Sequence, residues 1–186
     1  MDDFLFSDEA LDEVNEVLQG SWKVIVVDDE PEVHAVTKLA LSDFEFQDKR
    51  LEFISAYSGE EAKQVIQEHP DAAIVLLDVV METDDAGLKV AKFIRETAKN
   101  NHIRIILRTG QPGQAPERQV IVNFDINDYK SKTELTAQKL FTVVMSSLRS
   151  YRDILSIEQS RLGLEKIIKA SRDIFSTHSL ESFIEG

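Results

Sequence analysis

The chain has 186 residues, with 21 Lys and Arg, 34 Asp and Glu, no Cys and a formal net charge of −13. This acidic balance argues against a protein that binds nucleic acid through phosphate contacts or docks on an anionic membrane, and the lack of cysteine excludes disulfides, thiolate metal sites and cysteine nucleophiles. No apolar run approaches the roughly 20 residues of a membrane span, and the acidic start MDDFLFSDEA does not resemble a signal peptide. We therefore expect a cytoplasmic protein with one domain and an appendage.

Strand and helix patterns alternate along most of the chain. Residues 7–20 predict a short amphipathic helix that begins at Ser7 and ends at Gly20. Five strands are then predicted, at 22–27, 51–58, 72–77, 103–109 and 128–131. Helices are predicted between them at 31–41, 59–69, 88–98 and 117–124, and a long helical pattern begins near Leu135. In the second of these helices, Ser58 and Glu61 have the spacing of a capping box.

This alternation predicts an α/β fold with a doubly wound, five-stranded parallel sheet and an extended C-terminal helix. The third and fourth strands are near-continuous runs of Ile, Val and Leu, as expected for strands that helices cover on both faces. We divide the chain into an N-terminal helical extension at 1–20, the alternating domain at 21–150, and a helix at 151–186 that leads into a following domain.

Polar residues stand at the carboxyl ends of the predicted strands. Asp28 and Asp29 follow the first strand, Asp78 the third, Thr109 ends the fourth, and Lys132 follows the fifth. Open α/β sheets bind their ligands at this edge. The sequence therefore predicts that three carboxylates, a hydroxyl and an ammonium group converge there.

Such a set of groups suits a narrow range of chemistry. Carboxylates packed together repel one another unless a cation joins them, and hard oxygen ligands suit Mg²⁺. With charge neutralised by the metal, one oxygen of Asp78 could attack phosphorus. Thr109 would donate a hydrogen bond to the transferred group, and Lys132 would pair with another of its oxygens. The predicted product is an acyl phosphate on Asp78.

Each of these residues also has a simpler explanation when it is taken alone. Asp29 fits a cap of the first helix, with Glu32 completing a capping box, and Asp78 fits a turn at a strand end. Thr109 fits an ordinary strand residue and Lys132 a solvated surface residue. Their joint arrival at the strand ends, in the right order, favours one shared site.

Two other kinds of strand-end site fit less well. A phosphatase of the haloacid dehalogenase type needs a second carboxylate two residues after the first, and this chain has Val80 there. A dinucleotide site needs a glycine-rich loop after the first strand, which is absent. The histidines, at positions 34, 69, 102 and 178, show no ligand spacing and are predicted at the surface.

Six segments, VVDDEP, YSGEEA, LLDVVM, AGLKVAKFIR, LRTG and DYKSK, carry a family resemblance. From about residue 23 to 148 the chain resembles the receiver domain of two-component response regulators. The resemblance implies a flavodoxin-like sheet with strand order 2-1-3-4-5 and phosphorylation by a histidine kinase or phosphotransfer protein. The chain departs from the family at Thr133 and Glu82, where proline is usual, in the loop METDDAG, and in the acidic segment SDFEFQDK.

The resemblance also implies a role for each residue of the site. Mg²⁺ would be bound by Asp28, Asp29, the phosphoacceptor Asp78 and the backbone carbonyl of Val80, while Thr109 is the switch hydroxyl, Tyr129 the switch aromatic and Lys132 the conserved-type lysine. We expect a signalling phosphoacceptor and not an enzyme. The phosphorylated domain would pass its signal to an output domain. The alternative is a receiver-like interaction module that works without phosphorylation.

The C-terminal segment suggests both an output and a partner. The stretch INDYKSKTELTAQKLFTVVMSSLRSYRDI resembles receivers that are followed by a sensor-like domain and a cyclic-di-GMP module. Apolar residues near heptad spacing follow it, interrupted by Arg161 and Ser171: Ile154, Ile157, Leu164, Ile168 and Phe175. The pattern fits a homodimeric coiled coil and a helix lying on its own domain equally well. After Ser176 the sequence predicts the start of another helix.

Overall fold

The computed structural model of the protein describes residues 20–110, 118–132 and 136–184, without the side chains of 118–120 and 173–184. The predicted helix at 7–20, apart from Gly20, the departure at Thr133 and the side chain of Phe175 lie outside the described residues. The elements are β1 (Trp22–Val27), α1 (Pro31–Ala40), β2 (Glu45–Phe46), β3 (Lys49–Ala56), α2 (Gly59–Glu68), β4 (Ile74–Asp78), α3 (Ala86–Lys92), β5 (Arg104–Thr109), α4 (Arg118–Asn123), β6 (Ile126–Ser131) and α5 (Ala137–Ile184). A π-helical turn, Phe93–Thr97, continues α3.

The sheet has six strands in the order β2-β3-β1-β4-β5-β6, not the five predicted. Its five parallel strands follow the predicted order 2-1-3-4-5, and the two-residue β2 pairs antiparallel with β3 at the edge. The added strand arises because Gln47 and Asp48 take left-handed φ values of 53° and 60°, which turn the chain back as a tight hairpin. Neither residue is glycine, so the sequence lacks a strong turn signal at this position.

Both faces of the parallel sheet are buried, so its central strands are packed on both sides by apolar cores. Ile25 and Val27 of β1 pack in a core with residues of α2 and α3. Val24 and Val26 of the same strand pack on the opposite face, with residues of α5. The apolar runs predicted for the third and fourth strands follow from this two-sided burial.

The first part of α5 belongs to the core, and the rest leaves it. Five residues spaced three or four apart line the buried side of the helix: Leu140, Val144, Leu148, Tyr151 and Leu155. Tyr151 packs edge-on against Trp22, with ring centroids 6.3 Å apart, and donates a hydrogen bond of 2.9 Å to the carbonyl oxygen of Asp71. The helix then continues to Ile184 without the new start expected after Ser176. Across the described ranges, no helix is long and apolar enough to span a membrane.

Gly87 allows α3 to pack directly on the backbone at the end of β4. A Cβ atom at Gly87 would lie 1.9 Å from the carbonyl oxygen of Asp78. The Gly87 N–H also donates a hydrogen bond of 3.0 Å to the carbonyl oxygen of Val79. Any larger residue at position 87 would therefore push α3 away from the segment that carries Asp78.

We expect Gly87→Ala to lower the free energy of unfolding by about 1–3 kcal/mol, because the added methyl group meets backbone atoms that cannot move aside. Gly163→Ala in α5 is the matched control, since a Cβ there meets nothing within 4 Å. This control should stabilise the helix by up to about 1 kcal/mol. Urea unfolding of both variants measures the difference, and a shift in the same direction for both would contradict the close approach.

Candidate functional site

Four parallel strands bring the predicted polar residues to one edge of the sheet. Asp28 directly follows β1, Asp78 is the last residue of β4, and Thr109 is the buried last residue of β5. Lys132 follows β6, and its N–H donates a hydrogen bond of 2.7 Å to the carbonyl oxygen of Thr109. The edge thus forms because β4 lies between β1 and β5, and β6 pairs with β5.

Three carboxylates meet at this edge. One carboxylate oxygen from each of Asp28, Asp29 and Asp78 lies within 4.8 Å of the others. Asp28 and Asp78 are buried, with 0% and 3% of their surface exposed, whereas Asp29 is exposed. Asp78 Oδ1 is buried and has no hydrogen-bond partner among the described residues. Because buried carboxylate oxygens are normally paired, this set fits a hard divalent cation such as Mg²⁺, which takes oxygen ligands.

Lys132 neutralises part of this charge. Its Nζ lies 2.9 Å from Asp78 Oδ2, 3.1 Å from Asp28 Oδ2 and 3.1 Å from Glu30 Oε1. Burial by itself would lower the pKa of Lys132, but hydrogen bonds to Asp78 and Asp28 and the attraction of both carboxylates raise it overall. The Lys132 side chain therefore stays protonated at neutral pH. Lys130, the other lysine of the motif, pairs with Asp128 at 3.1 Å instead.

The pKa of Asp78 is raised despite this salt bridge. Removal from water is the largest cause, and the charge of Asp28 adds to it. The hydrogen bond and charge of Lys132 oppose the shift without cancelling it. In the absence of a further cation, the folded protein therefore pays a cost to keep Asp78 ionised.

The structure does not support the capping explanation of Asp29. The N-cap of α1 is Glu30, with Pro31 as the first helical residue, and the Glu30 side chain accepts no capping hydrogen bond. Asp28 Oδ1 instead accepts a hydrogen bond of 3.1 Å from the Glu30 N–H. The acid pair is thus not explained by the needs of the helix that follows it. By contrast, Ser58 Oγ does accept the Glu61 N–H at 3.2 Å, as the capping box at α2 predicted.

Val80 lies two residues after Asp78 in the chain, whereas Tyr129 lies on β6, which β5 separates from β4. Val80 is half-buried in the loop after β4, and its side chain packs against the core on the α2 and α3 face. Tyr129 of β6 pairs in register with Leu107 of β5 and packs against the same core. Its Oη is buried without a hydrogen-bond partner in the described part of the chain. The ligand role of Val80 and the switch roles of Thr109 and Tyr129 stay predictions.

Two residues that were not among the predicted site residues also contact Asp28. Arg108 is 3% exposed; its Nη2 lies 3.4 Å from Asp28 Oδ2, and its Nη1 donates to Thr37 Oγ1 at 3.1 Å. His34 is 2% exposed; its Nε2 lies 2.8 Å from the Asp28 carbonyl oxygen, and its Nδ1 lies 3.1 Å from Ser55 Oγ. The prediction that the histidines lie at the surface is therefore wrong for His34.

A signal for Arg108 was present in the sequence. It is a charged residue near the end of the apolar run IRIILRT, and a charge within a buried strand requires a partner. His34 carried no comparable signal in the sequence, because its partners are the Asp28 backbone carbonyl and Ser55 on β3.

Glu82, where the chain departs from the family pattern, ties the loop after Asp78 to α2. Its Oε1 accepts a hydrogen bond of 2.9 Å from the N–H of Gly59, the first residue of that helix. A carboxylate is favoured at a helix N-terminus because it satisfies a free N–H and complements the helix dipole. The departure therefore anchors the loop in its own way.

Comparison with known proteins agrees with this geometry. The family described as "Response regulator receiver domain" matches residues 24–145, and a domain of unknown function, DUF3369, matches residues 144–186. One curated relative, the 3'3'-cGAMP-specific phosphodiesterase 2 of Vibrio cholerae, is 49% identical over 185 residues. The match covers 96% of this chain and 35% of that relative, so the chain spans about a third of the relative's length.

Solved structures show the same fold. A response regulator receiver domain protein from Clostridium thermocellum has a TM-score of 0.60 at 20% identity, covering 72% of this chain and 98% of the other. The chemotaxis protein CheY4 of Vibrio cholerae has a TM-score of 0.57 at 21% identity, covering 69% of this chain and all of the other. At such identities the likeness concerns the fold alone.

One sequence-based expectation is contradicted by these comparisons. We expected a protein that is not an enzyme, but the Vibrio cholerae relative is named as a phosphodiesterase. The expectation was drawn from the resemblance of about residues 23–148 to a receiver domain, whose carboxylate site accepts a phosphoryl group as a signal. That reasoning applies to the site and not to a longer protein that contains it.

The raised pKa of Asp78 predicts how stability depends on pH without divalent metal. Since the folded-state pKa lies above the ordinary value of 3.8, the stability that the neutral carboxyl provides is lost as the pH rises from 3.8 through the higher folded-state pKa. Asp78→Asn removes this loss, so the variant should gain stability relative to the wild type as the pH rises from about 4 to about 7. Urea unfolding in EDTA measures this, and a difference that does not change with pH would count against a perturbed Asp78.

Proposed function

The chain belongs to the response regulator receiver family, and from that premise we propose that Asp78 accepts a phosphoryl group in a reaction that requires Mg²⁺. The phosphodonor would be a histidine kinase or a phosphotransfer protein. The observation that carries the proposal is the buried Asp78 Oδ1, which has no partner among the described residues, within a group of three carboxylates. The buried carboxylate oxygens of aspartates that serve only the fold are normally paired.

Asp28, Asp29, Asp78 and the backbone carbonyl of Val80 would hold the metal. When bound, Mg²⁺ supplies positive charge that offsets the charge of the carboxylates and of the incoming phosphoryl group. Asp28 and Asp78 come from neighbouring strands, β1 and β4, so their distance is set by the sheet and not by a loop. These two carboxylates are therefore already close together without a metal.

Asp78 would act as the nucleophile. Lys132 binds Oδ2 at 2.9 Å, and one oxygen of the Asp78 carboxylate would form the new bond to phosphorus while the bond from phosphorus to the donor nitrogen breaks. Lys132 can then pair with an oxygen of the transferred group as a point charge, and the Thr109 hydroxyl can donate a hydrogen bond to it. Tyr129 would respond to the occupied site as the switch aromatic.

We also infer that the phosphorylated domain regulates an enzyme that acts on a cyclic dinucleotide. The support is the Vibrio cholerae phosphodiesterase, whose similarity extends over both matched families of this chain. Its named substrate is 3'3'-cGAMP, so the cyclic-di-GMP module suggested by the sequence is widened to the class of cyclic dinucleotides. The division at residues 20 and 150, the cytoplasmic location and the absence of nucleic-acid binding stay predictions.

Incubation with acetyl phosphate and Mg²⁺ tests the phosphoacceptor directly. Intact-mass measurement should show one added phosphoryl group on the wild type and on Asp84→Asn, an exposed acid in the next loop that serves as the matched control. Asp78→Asn should show none, and EDTA should abolish labelling of the wild type. Equal labelling of Asp78→Asn would make the assignment wrong, and no labelling of any variant would favour a module that works without phosphorylation.

The second part of α5 supports a proposed homodimer. The seam residues Ile157, Leu164 and Ile168 are 68%, 61% and 53% exposed, so this part of the helix does not lie on its own domain. Arg161, which interrupts the seam, is satisfied within the helix: its Nη1 donates to Glu165 Oε1 at 2.6 Å, and its Nε donates to Glu158 Oε2 at 3.1 Å. Its charge therefore needs no partner from a second chain.

We expect a weak, concentration-dependent dimer. Each fully buried seam residue contributes about 1.5–3 kcal/mol, while association costs an estimated 4–15 kcal/mol before any net gain, so micromolar affinity is the expected range. A chain ending at Ser150 would lose the core residues Tyr151 and Leu155, so substitutions are the sounder test. In analytical ultracentrifugation Leu164→Glu should stay monomeric, whereas Ala170→Glu, at a helix position outside the heptad seam, should dimerise like the wild type. Identical sedimentation of all three proteins as monomers would contradict the dimer.

A further inference from the structure

Arg108 is the residue of this site whose presence is hardest to explain by folding alone. Its side chain is 4% exposed within β5, and a buried guanidinium destabilises a fold unless its donors are satisfied. Its Nη1 and Nη2 reach Thr37 and Asp28, but its buried Nε–H has no hydrogen-bond partner in the described ranges. A large apolar residue would fill the same strand position at a lower desolvation cost. The fold alone therefore does not explain why a charged residue is present.

The charge acts on the carboxylate group. Asp28 Oδ2 lies 3.4 Å from Arg108 Nη2 and 3.1 Å from Lys132 Nζ, so two cations share one carboxylate oxygen. Asp78 also attracts the guanidinium, and both carboxylates oppose the lowering of the Arg108 pKa that burial causes. Arg108 therefore makes the formal charge of the three-carboxylate group less negative by one elementary charge, with Lys132 already in place.

We propose that Arg108 is a built-in counter-charge and positioning residue for Asp28. It stabilises the buried carboxylate when no metal is bound, and it weakens Mg²⁺ binding because it repels the cation and competes for Asp28 Oδ2. The proposal rests on the Mg²⁺ site of the proposed function. As a consequence, Mg²⁺ should stabilise this site less than it would stabilise a site of three aspartates with Lys132 as the only cation.

The physical reason is that charges a few ångströms apart inside a protein interact strongly. Coulomb energy varies inversely with distance and with dielectric constant, and the interior screens far less than water. A cation next to a ligand oxygen therefore lowers the affinity of that ligand for a second cation. It also removes the penalty of leaving the carboxylate buried without a metal.

Thr37 provides a way to separate the charge of Arg108 from its orientation. It is a buried residue of α1, 3% exposed, and its Oγ1 accepts the Arg108 Nη1–H at 3.1 Å. Thr37→Val removes this hydrogen bond and keeps the guanidinium charge in place. Arg108→Gln removes the charge, and Arg108→Lys moves a shorter, unforked cation away from Asp28.

The test compares the full chain with these three variants. Isothermal titration calorimetry gives the Kd for Mg²⁺, and thermal melts in EDTA and in saturating Mg²⁺ give the stability of the two states. We expect Arg108→Gln to bind Mg²⁺ at least about tenfold more tightly, because the repulsion between a nearby guanidinium and the divalent cation is removed. It should melt lower than the wild type in EDTA and approach it in saturating Mg²⁺. Thr37→Val should melt lower in EDTA with a Kd close to that of the wild type.

An Arg108→Gln variant with wild-type circular dichroism and equal or weaker Mg²⁺ affinity would overturn the proposal. If that variant does not fold, Arg108→Lys decides, since it should bind Mg²⁺ with an affinity between wild type and the tenfold gain; an unchanged Kd would overturn the proposal. A wild type that binds no Mg²⁺ would refute the proposed function and this inference together. A wild type that binds Mg²⁺ and is phosphorylated on Asp78, with no effect of Arg108, would refute only the inference.

Discussion

The repulsion between the buried carboxylates of Asp28 and Asp78 is the constraint on which the rest of the site depends. Both are almost fully removed from water, and each is within 3.1 Å of the ammonium group of Lys132. The lysine follows β6, one strand beyond β5, and its position is set by its backbone hydrogen bond to Thr109. The order of the strands therefore determines where each charge lies: the two carboxylates follow or end β1 and β4, and the ammonium group follows β6.

The backbone that carries the acids is held from several sides. His34 contacts the carbonyl oxygen of Asp28, and the close approach of Gly87 leaves no space behind the carbonyl oxygen of Asp78. Glu82 joins the next loop to the start of α2. Because these contacts involve backbone atoms on one side, a displacement of Asp78 cannot be absorbed by a side-chain rotation and must move α3 or the loop. A displacement of the Asp78 backbone would therefore be passed on to the elements that contact it.

The helix α5 joins the two matched families without a linker. The receiver family match ends at residue 145 and the next begins at residue 144, both inside a helix that runs from Ala137 to Ile184. Tyr151 and Leu155 remain in the core of the alternating domain, although they lie within the second match. Beyond Leu155 the helix extends by about 45 Å at 1.5 Å per residue. A continuous helix transmits a shift or rotation over that length, which a flexible linker would not.

The sequence by itself determined the parallel strands, the helices between them and the arrival of Asp28, Asp78 and Lys132 at one edge. These features follow from local patterns, since apolar runs of four to six residues and polar strand ends are visible in short windows. Only the tertiary structure decided the extra strand β2. Its tight turn contains no glycine, and the hairpin is secured from a distance by the hydrogen bond of 2.9 Å from Trp22 Nε1 to the Phe46 carbonyl oxygen.

The tertiary structure also decided which charges meet. Arg108 and Asp28 are 80 residues apart in the chain, and His34 reaches a serine 21 residues away. Whether a buried charge or ring nitrogen has a partner depends on which strands are neighbours and on how deep each side chain lies, and neither is encoded in a local period. The sequence could therefore show that a carboxylate site exists, while the balance of charge around Asp28 is a property of the fold.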